Sequence, residues 1–256
     1  MRLHSDQHKK KDPSSELIDA GRELLSSPDF SVRDNSYDHH LHTIANVCLS
    51  GVEGSVATRL LCERIKQEYK DSTFRVYNHH QLLESIFRLQ PRIALDVFLG
   101  GAPQSDSFDF RGIALDALSD RRKNPLDEIP IEEMFRWCDE KPAERYPAIS
   151  RIVSYQNTSK VGEFGWTPLA MEMLKRAPDP LTVLKTFVKR FSPSCWSGSR
   201  AAIVESRLGL LDCLGELKNA SLDNYATEIR PKLLEDIAQM RKSEDESDIK
   251  RDERFE

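Results

Sequence analysis

An all-α fold made of stacked helix pairs is predicted by three observations. Apolar residues return at helical spacing in one segment after another. Prolines and hydroxyl-bearing side chains stand at the joints between those segments, where helices start and stop. Glycine (11 residues) and aromatics (8%) are sparse for a β-sandwich or a glycine-rich nucleotide fold of 256 residues.

Met1 to Pro13 is polar and charged without periodicity, which predicts a disordered segment. Ser14-Ser15 then caps a short helix with Leu17, Ile18, Leu24 and Leu25 on roughly one face, ended by Pro28. Tyr37 to Leu49 places Leu41, Ile44, Ala45, Cys48 and Leu49 at i, i+3, i+4, i+7 and i+8, an amphipathic helix. Gly51 to Gly54 makes the turn into a helix carrying Val56, Leu60, Leu61, Ile65 and Tyr69, which Asp71-Ser72 breaks. From Asn78 the pattern runs Leu82, Leu83, Ile86, Phe87, Leu89, then Pro91, then Ile93, Ala94, Val97, Phe98: two helices hinged at a proline.

The connection from 101 to 130 holds one short helical stretch, Ile113 to Leu118, and the basic run Arg121-Arg122-Lys123, and it is where the chain would break. Ile131 to Trp137 and Tyr146 to Val153 form another pair around Pro142. Gly165 to Lys218 reads as helix, turn, helix, loop, helix. Thr167-Pro168 opens the first, Pro178-Asp179-Pro180 separates it from the second, Ser192-Pro193 ends the second, and Ser197-Gly198-Ser199 caps the third. Leu222 to Met240 continues as helix despite Pro231. Ser243 to Glu256 has seven acids against three bases, a solvated helix extension or a frayed terminus. The layout is therefore a disordered segment 1–13, a helical repeat domain 14–240 and a charged tail 241–256.

The hinges at Pro91, Pro142 and Pro178 fall 51 and 36 residues apart, with a looser pair across Asn219. Helix-pair units of about 34 to 47 residues stack into α-solenoids of the HEAT or TPR kind, because each pair buries its apolar face only against its neighbours. The predicted architecture is an irregular version of that plan.

A formal net charge of −5 argues against a general nucleic-acid or anionic-membrane binder. No run approaches the roughly 20 apolar residues of a membrane span, and the first residues lack the apolar core of a secretory signal. A soluble, cytoplasmic protein is the expectation. The five cysteines are widely spread, with no zinc-knuckle gap, as expected for reduced thiols.

Ser194-Cys195-Trp196 has the look of a papain-type cysteine, but all seven histidines precede it, whereas that chemistry takes its histidine downstream. His39 and His42 share a helical face at i, i+3 and, with Asp38, are the nearest approach to a metal site. Neither a phosphate-binding glycine loop nor a Gly-x-Ser-x-Gly elbow is present. Ser197, Gly198 and Ser199 cap a helix whose exposed N–H groups, with Arg200, suit an anion. Lys175, Arg176, Lys185, Lys189, Arg190, Arg200 and Arg207 make the surrounding helices locally basic, a solvated face or a ridge for an acidic partner or a nucleic-acid backbone. The candidate binding residues are Trp196, Ser197, Ser199, Arg200, Arg207, Lys189 and Arg190. No catalytic residue and no cofactor is assigned.

Trp196-Ser197-Gly198-Ser199-Arg200-Ala201-Ala202, the following Glu205-Ser206-Arg207, and the terminal Arg251-Asp252-Glu253-Arg254-Phe255-Glu256 resemble the C-terminal end of large bacterial proteins that join an NTPase module to a long α-helical repeat region. Some of these are STAND-like NTPases proposed to act in phage defence. The resemblance covers roughly Gly165 to Glu256, and weakly the helix pairs before it. It implies a repeat region without its NTPase module, since the P-loop has no counterpart here, and it carries over no site residue. The expected function is a non-enzymatic scaffold or sensor arm for a protein partner, such as an NTPase module. The alternatives are an enzyme using dispersed His and Cys residues, and a binder of nucleic-acid backbone.

Overall fold

Side-chain oxygens and prolines set most of the helix starts. A computed structural model of the chain describes residues 13–32, 34–100, 124–157, 165–193 and 196–252. Residues 1–12, the 113–118 stretch, Arg121-Arg122-Lys123 and Ser194-Cys195 lie outside the described residues. The chain divides into two compact units, residues 1–108 and 109–256, so the boundary falls within the 101–130 connection. The fold is all-α: among the described residues the only strands are two of two residues each.

The first unit holds α1 (Ser15–Ser26), α2 (Asn35–Cys48), α3 (Gly54–Lys70), α4 (His80–Leu89) and α5 (Pro91–Leu99). Ser14 Oγ accepts from Leu17 N and Asp34 from Ser36 N, so α1 and α2 start on capping side chains. Pro91 sits at the first position of α5, where its missing N–H leaves nothing unpaired. Alternate helices pack in two layers: α2 lies on α4 and α3 on α5, with α4 also against α5, while α1 covers α2 and α3. The core joins Leu41, Ala45 and Leu49 to Leu61, Cys62 and Ile65 and to Leu82, Leu83, Ile86 and Phe87, all buried.

Two predicted faces are rotated. Leu17 and Leu24 are 62% and 61% exposed, and α1 faces the core through Gly21 and Leu25 instead. The reason is close approach: a Cβ on Gly21 would lie 2.3 Å from Cys48 Sγ, so only glycine lets α1 settle this near α2. In α3, Val56 and Leu60 point outward and Thr58, Leu61, Cys62 and Ile65 point inward. Gly54 fixes that entry angle, since a Cβ there would meet Leu49 O at 2.3 Å.

The second unit holds α6 (Ile131–Glu140), α7 (Pro142–Ser150), β1 (Gln156–Asn157), β2 (Gly165–Trp166), α8 (Pro168–Arg176), α9 (Pro180–Lys189), α10 (Arg200–Asp212) and α11 (Ala220–Asp252). Pro142, Pro168 and Pro180 each open a helix, and Thr167, Asp179 and Ser199 supply the N-cap oxygens for α8, α9 and α10. Helix α7 starts at Pro142, four residues before the predicted start, and ends at Ser150, so Val153 lies beyond it. β1 and β2 pair antiparallel, Gln156 opposite Trp166. Again neighbours alternate: α6 packs on α7, α7 on α8 and α9, α8 on α9, and α9 and α10 on α11. Arg176 of α8 also lies over the Phe135 ring of α6 at 4.5 Å.

Helix α11 runs unbroken through Pro231 and on into the charged tail as far as Asp252. At 1.5 Å per residue its 33 residues span about 50 Å. One stripe of it, Leu222, Ala226 and Ile237, is buried. None of the described helices is long and apolar enough to cross a membrane.

Candidate functional site

The candidate residues gather at the joint between α9 and α10. The chain leaves α9 at Arg190 and re-enters helix at Arg200. Gly198 there takes a positive φ of 79°, which glycine adopts without strain. Ser199 Oγ then accepts from Ala202 N at 3.0 Å, the N-cap bond that the hydroxyl spacing predicts. Trp196 is 49% exposed with the Arg200 guanidinium over its ring at 4.7 Å. Arg200 also donates through Nε and Nη2 to Ser192 Oγ at 3.1 and 2.6 Å. The tryptophan therefore stands on a guanidinium that is itself fixed. Ser197 and Lys189 are exposed.

The start of α10 carries an anion already, from the chain itself. Glu244 of α11 accepts from Arg200 N at 2.7 Å, Ala201 N at 3.1 Å and Ser199 Oγ at 2.7 Å. Those hydrogen bonds, the Ser199 hydroxyl first, hold the Glu244 carboxyl below the usual range. The N–H groups and hydroxyl expected to suit an anion have this carboxylate as their partner.

Arg190 and Arg207 are not ridge residues. Arg190 Nη1 donates to Ser150 O at 3.0 Å and Val153 O at 2.7 Å, closing the C-terminal end of α7. Arg207 Nη1 donates to Arg190 O at 3.1 Å and Phe191 O at 2.6 Å, doing the same for α9. Both guanidinium groups lie against Tyr155, at 4.9 and 6.0 Å from the ring centroid, and the Tyr155 hydroxyl donates to Arg190 O at 3.0 Å. Burial pulls the Arg190 guanidinium down to about 10, and neighbouring Arg207 adds to the fall. Arg145 repeats the device one helix earlier, donating to Trp137 O at 2.6 Å while lying over the Trp137 ring at 4.1 Å. Of the remaining basic residues, Arg176 pairs with Glu172 and Glu132, and Lys185 lies 5.6 Å over Tyr225.

In the first unit the histidines belong to a helix-joining network. Asp38 is buried and accepts from Gln81 N at 3.0 Å and Leu82 N at 3.1 Å, capping α4 from α2. His42 Nδ1 lies 3.0 Å from Gln81 O, an acceptor only, so that nitrogen carries the proton. Nε2 then accepts from Asn46 Nδ2 at 3.0 Å, and Asn46 Oδ1 accepts from Arg88. Both ring nitrogens are thus engaged, and Ser85 Oγ lies 2.7 Å from Nδ1 and 3.1 Å from Gln81 O, inside the same network. His39 Nδ1 faces Gln81 Oε1 at 3.3 Å. Among the described residues no three His, Cys, Asp or Glu side chains are grouped to hold a metal. His79 is fully buried among Phe30, Phe74 and Tyr37, and its Nδ1 has no hydrogen-bond partner. Burial pulls its pKa below the ordinary value.

Sequence reasoning missed Glu244, because a tail carboxylate carries no local sign of the helix it caps. It also missed Tyr155, whose role depends on two arginines 35 and 52 positions away. Comparison with protein-family models, with curated proteins and with solved structures gave no match to this chain.

Proposed function

We propose that this chain is a helix-pair repeat scaffold that binds a protein partner and carries no chemistry of its own. The carrying observation is a recurrence in helix starts: Gly54 and Pro91 are 37 residues apart, Ile131 and Pro168 are 37 apart, and Pro142 and Pro180 are 38 apart. Asn35 and His80 follow at 45. Each pair of starts belongs to helices that touch across one layer, and a spacing of about 34 to 47 residues is that of helical solenoids. The arginine laid on an aromatic ring and on a preceding helix end recurs with the pairs, at Arg145 and Arg190.

Solenoids work by presenting side chains on a rigid frame, and the half-exposed Trp196 on Arg200 has the composition of an interface anchor, where Trp and Arg dominate. The resemblance to the repeat region of STAND-like NTPases favours an NTPase module as that partner. Co-expression with the product of an adjoining NTPase-coding frame tests this: the two chains should purify together, and Trp196→Ala should weaken the complex at least tenfold with the helical circular dichroism unchanged. Failure to associate would remove the NTPase reading. Equal affinity of the Trp196→Ala variant would remove this anchor.

A further inference from the structure

Helix α11 lies antiparallel to α10 along a seam that changes character. From Leu222 to Ile237 the seam buries apolar side chains, with the Arg230–Asp212 pair beside them, and Met240 is its last half-buried apolar residue among the described residues. Beyond it the contacts are polar: Arg241 pairs with Glu205, and Glu244 accepts from Ser199, Arg200 and Ala201. The helix then continues to Asp252 past the start of α10.

That last stretch is a poor helix on its own. From 241 to 249 its side chains are exposed or half-buried, and none of them is a buried apolar group. The first turn of α10 has the complementary need, because its N–H groups have no partner within the helix. Ser199 Oγ serves one of them, at Ala202, and Glu244 serves two more, at Arg200 and Ala201. Each helix end thus relies on the other.

We propose that residues 241–252 form a strap held onto α10 by polar contacts alone, the Arg241–Glu205 pair and, as its latch, Glu244 on the α10 N-terminus, and that loss of the Glu244 charge releases the strap and the first turn of α10 together. Release uncovers the Ser199 hydroxyl and two N–H groups beside Trp196, so the strap covers or exposes one edge of that aromatic corner. The inference rests on the geometry of α10 and α11 alone and is independent of what the protein binds.

Hydrogen exchange on the full chain, followed by mass spectrometry, tests it. Glu244→Gln should speed exchange on the order of tenfold at two separated places, the amides of Arg200 and Ala201 and those of 241–249, since a charge-assisted bond exceeds a neutral one. Glu246→Gln, the same change of charge two residues on, should leave both places as in the natural sequence. About 1 M salt should speed exchange of the natural chain at both places at least to the Glu244→Gln rate, and should move the variant less than the natural chain. Emission from the buried Trp137 and Trp166 shows that the unit stays folded throughout. Equal exchange in the two variants would overturn the proposal. So would rapid exchange of 241–249 while Arg200 and Ala201 stay slow, which would make the tail a fraying end without a latch.

Discussion

In residues 13–100 the helix ends are joined by a carboxylate, amides and imidazoles alongside Arg22 and Arg64, which donate to Cys48 O and Ser26 O, whereas in residues 124–252 the task falls to guanidinium groups lying on aromatic rings. Asp38 caps α4, Gln90 Nε2 donates to Leu49 O at 2.7 Å and Gly51 O at 2.6 Å, and His42 bridges α2 to α4. On the other side Arg145, Arg190 and Arg207 close α6, α7 and α9. The two solutions differ in what disturbs them. An imidazole changes its donors with pH near neutrality, while a guanidinium holds its charge and fixed fork of donors across that range.

The contrast is most easily broken at Arg190. Arg190→Ala leaves Ser150 O and Val153 O without their donor and strips one face of Tyr155, at an expected cost of about 2–4 kcal/mol to the second unit. Arg190→Lys should recover only part of it, lacking the planar fork. Urea unfolding followed by tryptophan emission reads this unit selectively, because Trp137, Trp166 and Trp196 all lie in it. A loss under about 0.5 kcal/mol would show that the clamp is incidental.

Next in size is Asp38→Ala, expected to cost about 2 kcal/mol, the upper end for an N-cap, because the carboxylate is buried. All the histidines lie before residue 81, so imidazole proton resonances follow this unit alone. Gly21→Ala should cost about 1 kcal/mol, overpacking against Cys48 Sγ being offset in part by better helix propensity. In a Cys48→Ala background the same change should become neutral or stabilising. If it costs the same in both backgrounds, the close approach of α1 to α2 is not what selects glycine.

The smallest effect sharpens the comparison on the pH axis. Burial depresses the His79 pKa, so below the ordinary value near 6.5 the unfolded chain takes up a proton that the folded unit resists. Its contribution is fully present above that value and is lost as pH falls towards the folded pKa. His79→Phe should flatten the fall in first-unit stability through that window, while the second unit shows no such slope in either protein. An unchanged slope would assign the pH response to other groups.

What was legible in the sequence was local. Thr167, Asp179 and Ser199 announce helix starts because a cap is made within three residues, and Pro91, Pro142 and Pro168 do so because the ring presets φ. The rotations of α1 and α3 were not legible, since Leu17 and Val56 satisfy the helical period as well as Gly21 and Thr58 do. Only the partner helix decides which stripe is buried. The basic stretch around Arg190 and Arg207 read as surface for the same reason: whether a guanidinium meets water or a carbonyl depends on residues such as Ser150 and Val153, some forty positions away. Trp196 and Arg200, close in sequence, lie together.

Buried thiols give each unit its own clock. Cys48 and Cys62 sit in the first unit and Cys138 in the second, and burial raises all three thiol pKa values, that of Cys138 to about 12. At neutral pH each is both covered and protonated, so a thiol-specific reagent reaches it only through an opening of the surrounding helices. The rates at which those cysteines are captured therefore record how often each half of the molecule breathes, with no label added and with both halves timed in one sample.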